Sequence, residues 1–404
     1  MTHRLYYTDP YLQAFDATVE RVAQRDGRVV VTLDRTAFYP TSGGQPFDTG
    51  QLGGFRVVDV FDEDDGSVAH VVEAGAEVGQ GQTVHGEIDW PRRFEHMQQH
   101  TGQHVLSAAF AKLCATRTAS FHLGADVSTI DLARELPAAD LAAAELEANR
   151  IVWEDRPVTI RFADAAEAAR LPLRKEPARG GTLRLIDVEG FDLSACGGTH
   201  VARTGAIGVI AIAGWERFKG GQRIEFLCGG RALRRFRLLR DTVTAGVRLV
   251  SVLPGELPGA IERMQAEAKE QQRAIAALHG ELARFRADAL ATDAETVGGY
   301  RLVVQTMDAD AGGLKSLAMA VIARPGYAVV LASPSRPALV VVARSSDVAL
   351  AAQEVLATLT AQFGGRGGGK PELAQGGGLD AEPAALLDAA RRVVVGLMEK
   401  KGSV

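Results

Sequence analysis

His100 and His104 stand four residues apart in His-Thr-Gly-Gln-His, and Cys196 and His200 repeat that spacing in Cys-Gly-Gly-Thr-His. These two pairs restrict the fold more than any other feature of the chain. On a helix, side chains at i and i+4 lie on one face, close enough to share one ion. In the second pair the intervening glycines free the backbone to turn tightly. Two or three imidazole nitrogens with one thiolate make a donor set that suits tetrahedral Zn²⁺, expected once per chain. A zincin peptidase is disfavoured, because Thr101 stands where His-Glu-x-x-His carries its glutamate. His96 lies one turn before His100 and is assigned a supporting rather than a ligating place. Cys114 and Cys228 read as core thiols, and His3, His70, His85 and His279 carry no signal.

Composition narrows the class. The chain has 404 residues, 46% of them hydrophobic, which is enough for several packed domains. No apolar run approaches the ~20 residues of a membrane helix, and the first residues lack a signal-peptide core, so a cytoplasmic protein with no membrane partner is expected. Three cysteines do not make a disulfide framework. The formal net charge is −5, so a nucleic-acid partner would need a local basic patch.

The pattern along the chain predicts an α+β multidomain protein. Residues 1–88 read as a small N-terminal β-barrel, with strands around Val29–Leu33, Phe55–Val60 and Ala69–Val72 and a glycine turn at Tyr39–Pro46. Residues 89–230 read as an α+β domain. Its helix over Trp90–Lys112 has Pro91 in the first turn, and another helix follows over Leu141–Trp153. Strands are expected at Ser128–Leu132 and Val158–Phe162. Residues 231–295 read as a helical hairpin or coiled coil, Arg231–Val250 and Glu262–Leu290, because Pro254 and Pro258 forbid one continuous helix. The second helix sets Ile261, Met264, Ala268, Gln271, Ile275, Leu278, Leu282, Phe285 and Ala289 on an a/d seam. Residues 296–404 read as a C-terminal α/β domain. Its strands lie at Tyr300–Val304, Tyr327–Leu331 and Ala338–Val342, and a glycine-rich loop, Gly364–Lys370, interrupts its helices.

These strings resemble the editing domain of alanyl-tRNA synthetases and its free-standing relatives, the AlaX proteins. Phe38–Pro46 with Asp48-Thr49-Gly50 is similar to the glycine motif of that family's barrel. His96–His104 resembles the first zinc half-site and Cys196–Gly205 the second. Gly367–Pro371 with Ala374–Gly378 resembles the domain found downstream of DHH phosphoesterases and at the end of alanyl-tRNA synthetases. A chain carrying all of these is identified as a member of the long form of AlaX. A complete synthetase is not expected, since the barrel begins almost at Met1.

The resemblance implies zinc at His100, His104, Cys196 and His200, and hydrolysis of the ester that joins a wrong amino acid to tRNA-Ala. The expected partner is tRNA-Ala mischarged with serine or glycine; a second copy of the chain, joined through the C-terminal region, is a further candidate. In many synthetase editing domains a small hydroxyl residue precedes the second histidine, whereas Gln103 stands here. Gln103 and Gln45 are therefore the catalytic-site candidates, Gln45 for orienting water or the ribose end. Thr118, Ser120 and His122 are candidates for substrate specificity. Zinc with an open position would activate water, whereas four protein ligands would make it an anchor. For phosphate contact the candidates are Arg217, Lys219, Arg223 and Arg234 of a basic run, with Arg366 and Lys370 of the glycine-rich loop. The rival readings are a zinc-stabilised, non-catalytic RNA-binding protein and a DHH-related phosphoesterase, the latter lacking any Asp-His-His motif.

Overall fold

The computed structural model describes residues 1–25, 27–174 and 181–401. The chain forms two compact units, Met1–Gly246 and Val247–Val404.

The first unit begins with a closed six-stranded barrel. Its strands are β1 (Ala14–Arg25), β2 (Arg28–Leu33), β3 (Gly50–Leu52), β4 (Phe55–Asp62), β5 (Val68–Val72) and β6 (Thr83–Ile88), joined in the order β1-β2-β5-β4-β3-β6. Alternation sends Val29, Val31 and Leu33 inward, where they meet Leu52, Val57, Val72 and Val84. His70 is also buried there. Its Nδ1–H donates to the Val31 carbonyl at 3.0 Å, and burial pushes its pKa down to about 4, so it is a neutral core residue.

Between β2 and β3 the glycine turn leaves the barrel and is fastened to the first helix, α1 (Trp90–Cys114). Asp48 accepts from the Tyr39 backbone N–H at 2.7 Å and from Arg93 Nε at 2.9 and 3.0 Å. Arg93 also donates to the Pro10 carbonyl at 2.9 Å and to the Ala37 carbonyl. Both side chains of this ion pair are fully buried. Asp89 caps the helix and Pro91 stands in its first turn.

α1 is wrapped by the α+β region. β7 (Thr118–Leu123) and β8 (Ser128–Leu132) join β12 (Ile210–Phe218) and β13 (Gly221–Cys228) in an antiparallel sheet, order β12-β13-β8-β7. β9 (Val158–Ala163), β10 (Leu183–Val188) and β11 (Asp192–Ala195) form a second. Met97, Val105, Leu106 and Phe110 of α1 share one core with Leu123 and Ile130, with Leu141 and Ile151 of α2 (Ala138–Trp153), and with Ile186 and Phe226. The β7–β8 register slips at one point: Phe121 faces Ile130 and Ser120 faces Asp131, but Thr118 faces Leu132. Ala119 is the extra residue, so Thr118 returns to the face of Phe121. After β13 the chain continues as α3 (Gly229–Val250).

In the second unit, α4 (Leu257–Thr292) precedes a six-stranded sheet in the order β14-β15-β16-β17-β19-β18. The strands are β14 (Glu295–Val297), β15 (Tyr300–Thr306), β16 (Tyr327–Ala332), β17 (Ala338–Arg344), β18 (Arg366–Lys370) and β19 (Leu373–Leu379), with α5 (Ala311–Ile322), α6 (Ala352–Phe363) and α7 (Pro383–Lys401). Both faces are covered, which is why Tyr327–Ala332 reads as an unbroken apolar run. Val329 and Leu331 meet Leu314, Leu317 and Val321 of α5, whereas Ala328 and Val330 meet Leu356 and Leu359 of α6 and Leu386 of α7.

One expectation is corrected here. The glycine-rich stretch is not a loop: Arg366–Lys370 is the edge strand of the sheet, paired antiparallel to β19. Glycine permits this because a side chain at Gly367 would strike Gly376 and Leu356. The a/d seam of α4 is not the face that α4 buries in its unit. Ile261, Met264, Ile275, Leu278, Leu282 and Phe285 are exposed, whereas the small Ala283 and Ala287, with Leu290, pack on Leu314 and Leu317. Among the described residues, no helix is long and apolar enough to cross a membrane.

The Arg93–Asp48 pair is expected to be a major determinant of stability in the first unit. Removing one partner of a buried pair costs about 3–5 kcal/mol, because the other charge stays buried and unpaired. Arg93→Met should therefore lower the unfolding free energy by that order, and the Arg93→Met/Asp48→Leu pair by clearly less, measured by denaturant unfolding. Equal losses would contradict this reading.

Candidate metal centre

The helix α1 carries His100 and His104 inward on one face, and Cys196 follows directly on β11, with His200 in the next turn. Their ligand atoms all lie within 4.8 Å of one another. The Cys196–His200 turn is held by the buried Arg184, whose Nη1 donates to the Cys196 carbonyl at 2.7 Å and the Gly198 carbonyl at 2.9 Å. Gly198 lies against the His100 ring; any Cβ there would overlap it.

Each histidine gives its Nδ1 to a protein acceptor. His100 Nδ1–H donates to Gln45 Oε1 at 2.8 Å. The orientation of the Gln45 amide is set by Thr199, whose backbone N–H reaches Oε1 at 3.1 Å while Nε2 donates to Thr199 Oγ1 at 2.9 Å. His104 Nδ1–H donates to Asp192 Oδ2 at 3.2 Å. The Thr101 hydroxyl donates to the Met97 carbonyl at 2.9 Å, so it must accept from His200 Nδ1–H at 3.2 Å. All three imidazoles are thereby set in the tautomer that leaves Nε2 with a lone pair. His100 and His200 turn that Nε2 to within 3.4 Å of Cys196 Sγ.

The electrostatics favour a thiolate at Cys196 and a neutral His200. Burial pushes the Cys196 thiol up, but the His100 and His200 imidazoles outweigh it, and its pKa lies well below the ordinary thiol value. Burial and the neighbouring His100 hold His200 down at about 3. Burial alone would lower His104 too, yet its bonds to Asp192 and Cys196 raise it. Asp192 is kept far below the carboxylate range against its burial, by His104 and by Arg174, whose Nε lies 2.6 Å from Oδ1. A thiolate and three Nε2 lone pairs suit Zn²⁺, and the residues present fit such an ion.

The other candidates fall into groups. Gln45 is committed to His100 and Thr199. Gln103 is buried beside His104 and donates to Ser107 Oγ at 2.8 Å. Thr118 reaches the same Ser107 oxygen, also at 2.8 Å. Ser120 and His122 lie on the opposite face of β7, Ser120 bonded to Asp131; the structure does not bring them to the ligands. Phe121 does reach the site, 5.5 Å from the His100 ring. His96 is buried; among the described residues its Nδ1 has no partner, and it bonds to none of the four clustered side chains. Cys228 packs where a side chain at Gly102 would stand. Thr101, Asp192, Arg174 and Ser107 were not singled out from the sequence. Only Thr101, inside the histidine pair, carried a positional signal.

The basic candidates are divided too. Arg223 pairs with Asp131 at 2.7 Å and covers the Phe218 ring at 3.6 Å, and Arg234 pairs with Glu95. Arg217 lies 2.8 Å from Glu135 but is 84% exposed, and Lys219 sits 5.0 Å from the Phe218 ring. Arg366 and Lys370 are exposed at the two ends of β18.

Comparison with known proteins joins this geometry to a family. The alanyl-tRNA editing protein AlaX-L of Pyrococcus horikoshii is 32% identical over 401 residues, 96% of this chain and 98% of that protein. The chain belongs to the AlaX family, in its long form. Family models agree along its length: tRNA synthetases class II (A) at residues 9–92, the threonyl and alanyl tRNA synthetase second additional domain at 183–225, and the DHHA1 domain at 299–396. The alanine–tRNA ligases of Pyrococcus abyssi and Halobacterium salinarum are 35% and 38% identical over 93% and 94% of this chain. The chain spans 42% of the length of each. The solved C-Ala domain of Aquifex aeolicus alanyl-tRNA synthetase matches 26% of the chain at 24% identity with a TM-score of 0.24. In this AlaX protein the four side chains that could hold a metal ion and the three groups that accept from their imidazoles form one cluster.

The acceptors predict metal affinity. Asp192→Asn and Thr101→Val should each weaken zinc binding by about 10–100-fold, the usual cost of losing the group that orients a ligating histidine. Gly198→Ala should weaken it at least as much by displacing His100. Competition with a chromophoric chelator measures all three, and unchanged affinities would show that the acceptors do not orient the ligands.

Proposed function

We propose that the chain hydrolyses the ester of tRNA-Ala mischarged with serine, and with glycine as a second substrate, at the centre formed by His100, His104, Cys196 and His200. The observation that carries this reading is the inward set of Nε2 atoms beside the Cys196 thiolate, in a chain of the alanyl-tRNA editing family. Zinc held by all four residues would anchor the site and supply a fixed positive charge there. The protein's own groups do the rest. Gln45, Thr101 and Asp192 keep the imidazoles in place, and Phe121 packs beside the His100 ring.

Such an enzyme answers a limit of binding. A pocket for alanine rejects an added hydroxyl by only about 100-fold, whereas a site that must hydrogen-bond that hydroxyl discriminates by about 10⁴. The ester is activated, so a modest acceleration suffices; selectivity is the demanding part. On this reading the tRNA body is held through phosphate contacts to Arg217, Lys219, Arg366 and Lys370, whose side chains are exposed. Arg223 and Arg234 contribute less, because acidic partners already engage them. The cytoplasm is the setting in which such a substrate occurs, and a second copy of the chain joined through its C-terminal region remains the other proposed partner.

The purified chain should clear Ser-tRNA-Ala at least a hundred times faster than Ala-tRNA-Ala in single-turnover deacylation. Its apparent affinity for tRNA should fall as salt rises, since phosphate contacts release counterions. No deacylation of Ser-tRNA-Ala by zinc-replete protein would refute the assignment and leave an RNA-binding protein with a structural metal.

A further inference from the structure

The first turns of α1 carry a second cluster, outside the one that could hold a metal ion. Asp89, Arg92, Glu95 and His96 meet Arg231 of α3 and Pro46 of the glycine turn around a cavity of about 310 Å³. His96 is only 2% exposed and Arg231 only 4%. All of these residues belong to the first unit.

The acids of this cluster are committed and the donors are not. Glu95 is held at 2.8 Å by Arg231 Nε and, on its other oxygen, by Arg234. Asp89 accepts from Thr49 Oγ1 at 3.1 Å and from the Arg92 backbone N–H at 3.4 Å. Arg92 spends Nε on the Phe47 carbonyl at 3.1 Å, and Arg231 spends Nη1 on the Gly124 carbonyl at 2.7 Å. Among the described residues, the terminal nitrogens of Arg92 and Nη2 of Arg231 have no acceptor. His96 Nδ1 is sealed from solvent and has no partner there either. Burial, with Arg92 and Arg231 nearby, pushes the His96 pKa down to about 3, so the ring is neutral and carries one proton. That proton belongs on Nε2, because on Nδ1 it would be a buried N–H without an acceptor. Three guanidinium groups, Arg92, Arg231 and Arg234, stand against two carboxylates, Asp89 and Glu95, which leaves one positive charge over. The N-terminal end of the 25-residue α1 adds partial positive charge at the same place. A cavity rimmed by unspent donors, with one positive charge in surplus, suits a singly charged anion.

We propose that this cavity holds a phosphodiester of the nucleic-acid substrate, the linkage next to the ribose that bears the scissile ester, with Arg92, His96 and Arg231 as its donors. This rests on the hydrolytic reading above. In an aminoacyl-tRNA the anion nearest the ester is the phosphate that joins the last two nucleotides, one ribose away. His96 precedes His100 by one turn of α1, roughly 6 Å along the helix, which is the span of one ribose. Pro46 follows Gln45, which bonds to His100 at 2.8 Å. Both walls of the cavity are thus joined to the four clustered side chains by a single step along the chain. A phosphate contact carries register and no sequence, so this one sets how far the end of the strand reaches towards the centre.

The test uses the full, zinc-loaded chain and two forms of tRNA-Ala, one with a natural last linkage and one with an uncharged methylphosphonate there. Both carry a 2′-deoxy sugar before that linkage, so that the uncharged form is stable. Binding is read by fluorescence anisotropy with deacylated tRNA, and clearance with the seryl forms. The natural linkage should give about tenfold tighter binding or better, the usual worth of hydrogen bonds to a charged group. Arg92→Met and His96→Phe should each weaken binding of the natural form, with zinc content unchanged, and affect the methylphosphonate form much less. Arg92→Lys, which keeps the charge, should recover part of the loss. Equal affinity of the unaltered chain for the two tRNAs would overturn the proposal. So would variants that weaken both tRNAs by the same factor, or that lose zinc. Inorganic phosphate that binds the unaltered chain and not His96→Phe, while the two tRNAs bind equally, would assign the cavity to a free anion and overturn it as well. Coupling in binding without any clearance of Ser-tRNA-Ala would instead overturn the hydrolytic reading and leave the phosphate site standing.

Discussion

The buried pair of Arg93 and Asp48 is the constraint on which the candidate metal centre depends. Neither charge touches water, and each is satisfied several times over: Asp48 by Arg93 and the Tyr39 amide, Arg93 by Asp48 and the Pro10 and Ala37 carbonyls. Isolated, either charge would cost several kcal/mol to bury. Together they fix the glycine turn of the barrel against the start of α1. That turn carries Gln45, and Gln45 carries the orientation of His100 and the backbone of Thr199. The barrel thus has a direct part in the centre, although none of the four ligands belongs to it.

The remaining ligands follow the same economy. A histidine with a free ring could offer either nitrogen, and its rotation would cost entropy on binding. Here Thr101 sits between the two α1 histidines, and its hydroxyl hydrogen is spent on the preceding helical turn, so it can only accept from His200. Asp192, at the start of the strand that leads to Cys196, holds His104 and is itself held by Arg174 and Ser194. Each half-site therefore supplies the acceptor that orients a histidine of the other. The four donor atoms are thus oriented by the fold itself, the preorganisation that a metal ion bound there would require.

Much of this was legible in the amino acids, and the limits have physical causes. The four side chains that the fold brings together declared themselves through i, i+4 spacing and the glycines beside Cys196. The strands at Val29–Leu33, Tyr327–Leu331 and Ala338–Val342 declared themselves through apolar runs that lie inside strands of the fold. Asp192 and Arg174 did not, because they meet His104 through tertiary folding and share no local period with it. The bulge at Ala119 is a matter of register, and register is set by the partner strand. Alternation alone would have placed Thr118 with Ser120 and His122; the extra residue separates them. The glycines of Arg366–Lys370 read as loop because they have no side chains to alternate, yet their lack of Cβ atoms is what admits β18 against β19 and α6. On α4 the larger residues drew the eye to a seam, whereas the packed face is made of alanines that let α5 approach closely.

The central claim is that three histidines present Nε2 and one cysteine presents its thiolate to a single ion. X-ray absorption at the zinc edge of the purified, zinc-loaded chain tests it most directly. The account predicts one zinc per chain with one sulfur at about 2.3 Å and three nitrogens at about 2.0–2.1 Å. A spectrum with no sulfur neighbour, or a chain that retains no stoichiometric zinc after dialysis, would contradict it.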